Sequence, residues 1–218
     1  RVLYAQAVYG QEEINAVNKV LKNSSNMLMD NIKVRQFEKK ISAIFGKKYG
    51  LMVNSGSSAN LLAISALNLP TGSEIITPAL TFSTTVSPIV QSGLVPAFVD
   101  VDPQTFNINS NLSEEMVNEN TKAILIPDLL GNLPDWKSIK PIAKKYNLRI
   151  IEDSADTLGS IYNNKNTGKI NDIVTTSFYG SHVITCAGHG GMLCTNNLKY
   201  YEKAKLLQGW GRRSALVQ

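Results

Sequence analysis

At 218 residues and 43% hydrophobic content, the chain is long enough to bury a core and short enough to be one domain, which excludes a disordered or fibrous protein. The formal net charge of +5 comes from lysines scattered along helix-like segments, such as Lys39, Lys40, Lys144 and Lys145, so a solvated surface is expected and no nucleic-acid partner. No apolar run is long enough to span a membrane, no signal-like segment opens the chain, and the two cysteines, Cys186 and Cys194, form neither a CxxC pair nor a disulfide framework, so a reducing, cytoplasmic location is expected.

In "QEEINAVNKVLKN" (11–23), Ile14, Val17, Val20 and Leu21 share a helical face, with acids early and lysines late as the helix dipole prefers. "VRQFEKKISAIFG" (34–46) repeats the pattern through Val34, Phe37, Ile41, Ile44 and Phe45 and stops at Gly46. Short apolar runs then alternate with helical segments. Strands are predicted at 49–55, 74–79, 95–102, 122–128, 148–154 and 173–179, each reading as buried. Helices with polar outer faces are predicted between them, at 58–69, 82–93, 113–121 and 136–147. Such alternation predicts one α/β domain over 1–218: a mostly parallel sheet flanked by helices, with the loops after the strands gathered on one edge. Any active site belongs at that edge.

Five loops follow predicted strands: "NSGSSAN" (54–60), "TFSTT" (81–85), "DLLGN" (128–132), "EDSAD" (152–156) and "SFYGSH" (177–182). The first is a small-residue turn entering a helix. Free N–H groups there, with the Ser57 and Ser58 hydroxyls, suit a phosphate, although serine and glycine before a helix more often serve as a cap. Glu152, Asp153 and Asp156 follow a wholly apolar strand, where a carboxylate needs a partner; a protonated ring nitrogen is one candidate and helix capping by Asp153 the other. His182, Cys186 and His189 form an H-x3-C-x2-H run, but Gly188, Gly190 and Gly191 interleave it and no fourth ligand is near, so no metal is expected. A dinucleotide site lacks its GxGxxG after the first strand.

Taken in order, "VYGQEEINAV", "FEKKISAIFGKKYGLMVNSGSSANLLA", "TPALTFSTT", "FVDVDPQTFN", "IIEDSADTLGS" and "TSFYGSHVIT" resemble the DegT/DnrJ/EryC1/StrS sugar aminotransferase and dehydratase family, of the aspartate aminotransferase fold (fold type I). The resemblance implies pyridoxal phosphate or pyridoxamine phosphate as cofactor. By it, Ser57, Ser58 and Ser177 hold the phosphate, Phe82 stacks on the pyridine face, and Asp153 keeps the pyridine nitrogen protonated so that the ring acts as an electron sink. Asp156 counts with these cofactor-side residues.

Family aminotransferases carry S-F-x-x-x-K, whose lysine forms a Schiff base with the cofactor. Here the sixth position is His182, which cannot form that bond, so the resemblance implies a cofactor held non-covalently as pyridoxamine phosphate. Histidine at this position resembles the family's sugar 3-dehydratases, which act on nucleotide-linked 4-keto-6-deoxyhexoses; "LLGN" (129–132) and Asp156 lean the same way. His182 is suited to taking a proton and returning it to the departing C3 oxygen. The implied setting is deoxysugar synthesis for lipopolysaccharide or a related glycan, with an amino donor such as glutamate and a homodimer sharing its active sites. A sugar aminotransferase or inactive relative is the alternative within the family. A non-enzymatic binding domain, motivated only by charge, is the alternative outside it.

Three departures from the family pattern stand out. "ITCAGHGG" (184–191) is one residue longer than I-T-x-G-E-G-G and sets His189, which takes no assigned role, at the glutamate. "WGRRS" puts Ser214 where the iron–sulfur branch of the dehydratases has its first cysteine, which argues against that branch. Family members continue into a smaller C-terminal domain, and Gln218 falls near the end of the large one.

Overall fold

A computed structural model describes residues 1–3, 6–24 and 27–216. In chain order the elements are α1 (Gln11–Asn23), α2 (Ile32–Ile44), β1 (Tyr49–Val53), α3 (Gly56–Leu67), β2 (Glu74–Pro78), α4 (Ser83–Gln91), β3 (Val95–Val99), α5 (Ser110–Glu115) and β4 (Thr121–Pro127). There follow α6 (Trp136–Lys145), β5 (Arg149–Asp153), the short pair β6 (Ile161–Tyr162) and β7 (Lys165–Asn166), β8 (Ile173–Ser177), β9 (Gly191–Thr195) and α7 (Leu198–Gln208). Among the described residues no helix is long and apolar enough to cross a membrane.

Seven strands form one sheet in the order β1-β9-β8-β5-β4-β2-β3. β9 runs antiparallel to both neighbours, β1 and β8, and every other pair is parallel. This is the mostly parallel, mixed sheet that the alternation of elements anticipates. Both faces are covered, which is why the central strands β4, β5 and β8 are buried along most of their length. On one face α3, α4 and α7 bury Ile75, Leu125, Ile151, Ile173 and Leu193. On the other, Trp136 and Ile139 of α6 pack on Ile76, Ile124, Ile126 and Ile150, while Ile41 and Phe45 pack on Val174, Met192 and Cys194. Strand side chains alternate between faces, so the neighbours Glu152 and Asp153 at the end of β5 point to opposite sides of the sheet.

Some boundaries differ from expectation. α3 starts at Gly56, two residues early, because the Ser55 hydroxyl caps it by accepting from Ser58 N. The helix predicted at 113–121 is instead Ser110–Glu115, capped by the Asn109 side chain, and the asparagine-rich segment after it turns: Asn118 N donates to Thr121 Oγ1. The strand predicted at 95–102 stops at Val99. β9 and α7 were not anticipated. The apolar face of α1 buries nothing among the described residues.

β9 begins at a position that only glycine can occupy. A Cβ on Gly191 would lie 2.2 Å from the Ser55 carbonyl group and 2.5 Å from Gly56 N. That contact seats β9 directly against the start of α3. Gly191→Ala is therefore expected to destabilise the fold by about 1–3 kcal/mol through overpacking, read as a lower urea midpoint. Gly180→Ala, where a Cβ meets nothing within 4 Å, should stay within about 0.5 kcal/mol of the native protein. Equal midpoints for the two variants would refute this account of the β9–α3 contact.

Candidate active site

The carboxyl ends of β1, β2, β4, β5 and β8 lie on one edge, and the five polar loops leave from there. Asp153, the last residue of β5, is buried on the α3/α4 side. Its Oδ2 accepts from Asn60 Nδ2 at 2.8 Å and from Thr85 Oγ1 at 3.0 Å. Asn60 is itself held: Thr175 Oγ1 donates to its Oδ1 at 2.5 Å, and its Nδ2 also reaches the Thr84 carbonyl at 3.2 Å. Burial pushes the Asp153 carboxyl above the usual carboxylate range, and the hydrogen bonds from Asn60 and Thr85 pull it back. A buried carboxylate aimed by neutral donors suits a cationic ligand group such as a protonated ring nitrogen.

Ser55 occupies the cap of α3, so Ser57 and Ser58 fall within its first turn. The Ser58 N–H goes to Ser55 Oγ at 3.1 Å, and the Ser55 and Ser58 hydroxyls meet at 3.2 Å. The first-turn N–H groups of Gly56 and Ser57 have no acceptor within the helix, as its geometry requires. Ser177, at the end of β8, lies against this turn, since a Cβ on Gly56 would come within 2.7 Å of Ser177 Cβ. Small side chains, free N–H groups and the positive end of a helix dipole thus converge where an anion fits. Phe82 immediately precedes α4 and is 70% exposed, which leaves it open to stack on a ligand.

His182 sits in the loop joining β8 to β9, its N–H bonded to the Tyr179 carbonyl at 2.9 Å. Its side chain is 20% exposed, and Nε2 lies 3.7 Å from Asp156 Oδ1. Nδ1 is sealed from solvent with no hydrogen-bond partner, which leaves Nε2 as the nitrogen able to exchange a proton. The other Asp156 oxygen, Oδ2, accepts from Leu130 N at 3.2 Å. Leu130 has a left-handed backbone, with φ 57°, in the turn that follows β4. Asp156 therefore links the "LLGN" loop to His182. The exposed His189 ring packs on Tyr179 at 4.9 Å, and Tyr179 meets His182 edge-on at 6.0 Å. Burial pushes the Cys186 thiol up to about 11, so it is no nucleophile at neutral pH. Among the described residues no three His, Cys, Asp or Glu side chains form a metal-holding group.

The structure thus brings Asp153, Ser57, Ser58, Ser177, Phe82, Asp156 and His182 to one sheet edge. Sequence reasoning missed Asn60, Thr85 and Thr175, which aim Asp153, and it missed the pairing of Asp156 with His182. The one available signal was Asn60 itself, an amide inside the otherwise small and apolar run "ANLLAISAL". A polar group there needs a buried partner.

The profile of the DegT/DnrJ/EryC1/StrS aminotransferase family matches residues 8–217. The lipopolysaccharide biosynthesis protein RfbH of Salmonella typhimurium is 44% identical over 184 residues, covering 81% of this chain and 42% of its own. The GDP-4-keto-6-deoxy-D-mannose 3-dehydratase of Yersinia pseudotuberculosis is 36% identical over 217 residues, covering 95% and 54%. A solved GDP-4-keto-6-deoxymannose-3-dehydratase with a trapped PLP-glutamate geminal diamine superposes with a TM-score of 0.93 at 35% identity, over 99% of this chain and 57% of that one. The chain spans about half the length of the curated relatives it matches. By sequence and by fold, the chain belongs to the DegT/DnrJ/EryC1/StrS aminotransferase family.

Proposed function

We propose that residues 1–218 are the cofactor-binding large domain of a pyridoxamine phosphate-dependent 3-dehydratase, acting on a nucleotide-linked 4-keto-6-deoxyhexose in deoxysugar synthesis for lipopolysaccharide or a related glycan. The observation that carries this reading is His182, seated beside Asp156 at the position where family aminotransferases carry the Schiff-base lysine. The dehydratases among the relatives support it. The aminotransferase alternative would have to manage without that lysine.

In this reading Asp153 pairs with the cofactor's ring nitrogen. Ser57, Ser58, Ser177 and the first-turn N–H groups of α3 hold the phosphate, and Phe82 covers the ring. Bound pyridoxamine phosphate would supply an amine for the sugar's C4 ketone and a conjugated ring that relays the electron pair freed on loss of a proton to the C3 carbon, so that the C3 oxygen leaves with the pair of its own bond. His182 takes the proton at Nε2, and Asp156, 3.7 Å away, balances the charge on the imidazolium. From there the proton passes to the departing oxygen. Phe82 and Leu130, 70% and 72% exposed, stand at the mouth of the site where a second subunit would exclude water. We include a homodimer with shared sites, glutamate as amino donor and a cytoplasmic location in the proposal; two free cysteines accord with the last.

Two outcomes are expected. With pyridoxal phosphate added, borohydride should fix no cofactor on the native protein yet trap it covalently on His182→Lys, read by absorbance and intact mass. A reducible bond on the native protein, or none on the variant, would remove His182 from the site. Asn60→Ala should weaken cofactor binding roughly 10- to 100-fold, because a hydrogen bond to a charged group contributes about 1.5–3 kcal/mol. An unchanged affinity by fluorescence titration would mean that Asp153 does not meet the cofactor.

A further inference from the structure

Beneath Asp153, on the opposite face of the sheet, lies a second acidic group that the proposed reaction does not use. Glu152 of β5 and Asp128, just past β4, are 0% and 1% exposed. Asn171 Nδ2 donates to Glu152 Oε2, and Thr157 Oγ1 donates to Asp128 Oδ2. The remaining oxygens, Glu152 Oε1 and Asp128 Oδ1, are buried without a hydrogen-bond partner, with the buried Thr167 hydroxyl beside Glu152. Asp128 follows β4 and Glu152 lies on the neighbouring strand β5, near enough for each carboxyl to act on the other. Two ionised carboxylates so buried repel each other, whereas a proton on one of them removes a buried charge and supplies a donor for the other.

The surrounding charges decide where that proton sits. Lys47 is the nearby cation; its Nζ donates to the main-chain carbonyls of Asn171 and Asp172 and is directed at neither carboxylate. It can offset one buried negative charge and not two. Burial raises both carboxyls above the usual range. At Asp128 the charges of Glu152 and Asp153 add to burial and the Thr157 hydroxyl opposes them, whereas at Glu152 the Thr167 hydroxyl, the Asn171 amide and Lys47 favour the ionised form.

Asp128 also stands at a junction. Its N–H donates to the Asp153 carbonyl at 3.0 Å. Thr157, bound to its carboxyl, closes the 154–157 turn by meeting Ser154 Oγ at 2.6 Å. Leu130, two residues further on, donates to Asp156. The segments 128–130 and 153–157 are therefore clasped at three points, two of them made by Asp128 itself. We propose that Asp128 keeps its proton at neutral pH, donates it to an ionised Glu152, and so acts as a positioning residue for the loops that carry Asp153 and Asp156. Its bearing on catalysis rests on the function proposed above; the location of the proton does not.

The sign of the pH dependence follows. Because folding raises the Asp128 value, the stability it contributes is present at low pH and is lost as pH rises through the folded value. Lys47, pushed down to about 8 by burial, acts in the opposite sense, gaining stability as pH rises above that value. It is common to native and variant, so it cancels in their difference. The substitution Asp128→Asn mimics the protonated acid, because an amide donates the same bond and cannot ionise.

Infrared spectroscopy with carboxyl-13C aspartate tests the assignment directly, in an Asp153→Asn background that silences the other buried aspartate. A protonated-acid carbonyl band of aspartate is expected at neutral pH and should vanish on adding Asp128→Asn. If no such band is present, the proposal is overturned, and that result does not require the Asp128 variants to fold. In urea unfolding, Asp128→Asn should match the native protein at about pH 4 and exceed its stability increasingly as pH rises from there toward the folded Asp128 value. Asp128→Ala should fall at least about tenfold below Asp128→Asn in folding constant, since it removes the donor to Glu152. Equal stability for the amide and alanine variants, or a native–amide difference that does not change with pH, would overturn the proposal. Neither readout needs bound cofactor or turnover, so failure of the dehydratase reading would show in the borohydride experiment alone.

Discussion

The bond from Asn60 to Asp153 is the constraint on which the site depends. Through it and its neighbours four elements are tied at one buried point: α3 by Asn60, α4 by Thr85, β5 by Asp153 and β8 by Thr175. Each of these groups would be costly to bury alone, and each is satisfied only when the other three elements are in register. The network therefore both aims a carboxylate and specifies how two helices meet the sheet. The first turn of α3, where the proposed phosphate site lies, inherits its position from the same anchor, five residues or fewer from Asn60.

Stiffness is distributed unevenly around that anchor. Asp153, Asn60, Thr85 and Thr175 are buried on regular elements, whereas His182 and His189 lie on the long loop between β8 and β9. The groups that would hold a cofactor are thus fixed by packing, and the group that would move a proton sits on a segment that can adjust. Asp156 bridges the two regimes, held on one side by the left-handed turn at Leu130 and facing the histidine on the other. A non-glycine residue in that conformation costs energy unless its surroundings require it. The bond it gives to Asp156 is the visible requirement.

Much of this is legible in the sequence, for physical reasons. Apolar runs bounded by turn residues mark doubly covered strands, and their order alone predicts which loops share an edge. That places Ser57, Phe82, Asp153 and His182 together from the sequence. Side-chain partners are not legible in the same way, because Asn60, Thr85 and Thr175 sit far apart in the chain and only the sheet and helix geometry brings them to Asp153. β9 escapes notice because its first residue is a glycine following two others, Gly188 and Gly190, so "GHGGMLCT" reads as the tail of a loop. The glycine is there because α3 leaves no room for a side chain. The same alternation that makes strands recognisable also separates Glu152 from Asp153, so "EDSAD" reads as one acidic motif while its members serve opposite faces of the sheet.

The antiparallel insertion of β9 between β1 and β8 also governs the order in which the molecule can be assembled. Tyr49 pairs with Thr195 and Val53 with Gly191, so among the described residues the first strand finds its neighbour in the last. During synthesis β2, β3, β4 and β5 can pair as they emerge, while β1 stays a bare apolar edge until the ribosome has delivered residues 191–195. Contacts of such sequence separation close slowly, and an unpaired strand edge in the interval invites pairing with other chains. Interruptions shortly before β9 should for that reason yield aggregating nascent chains, and β1 is where a chaperone has most to protect.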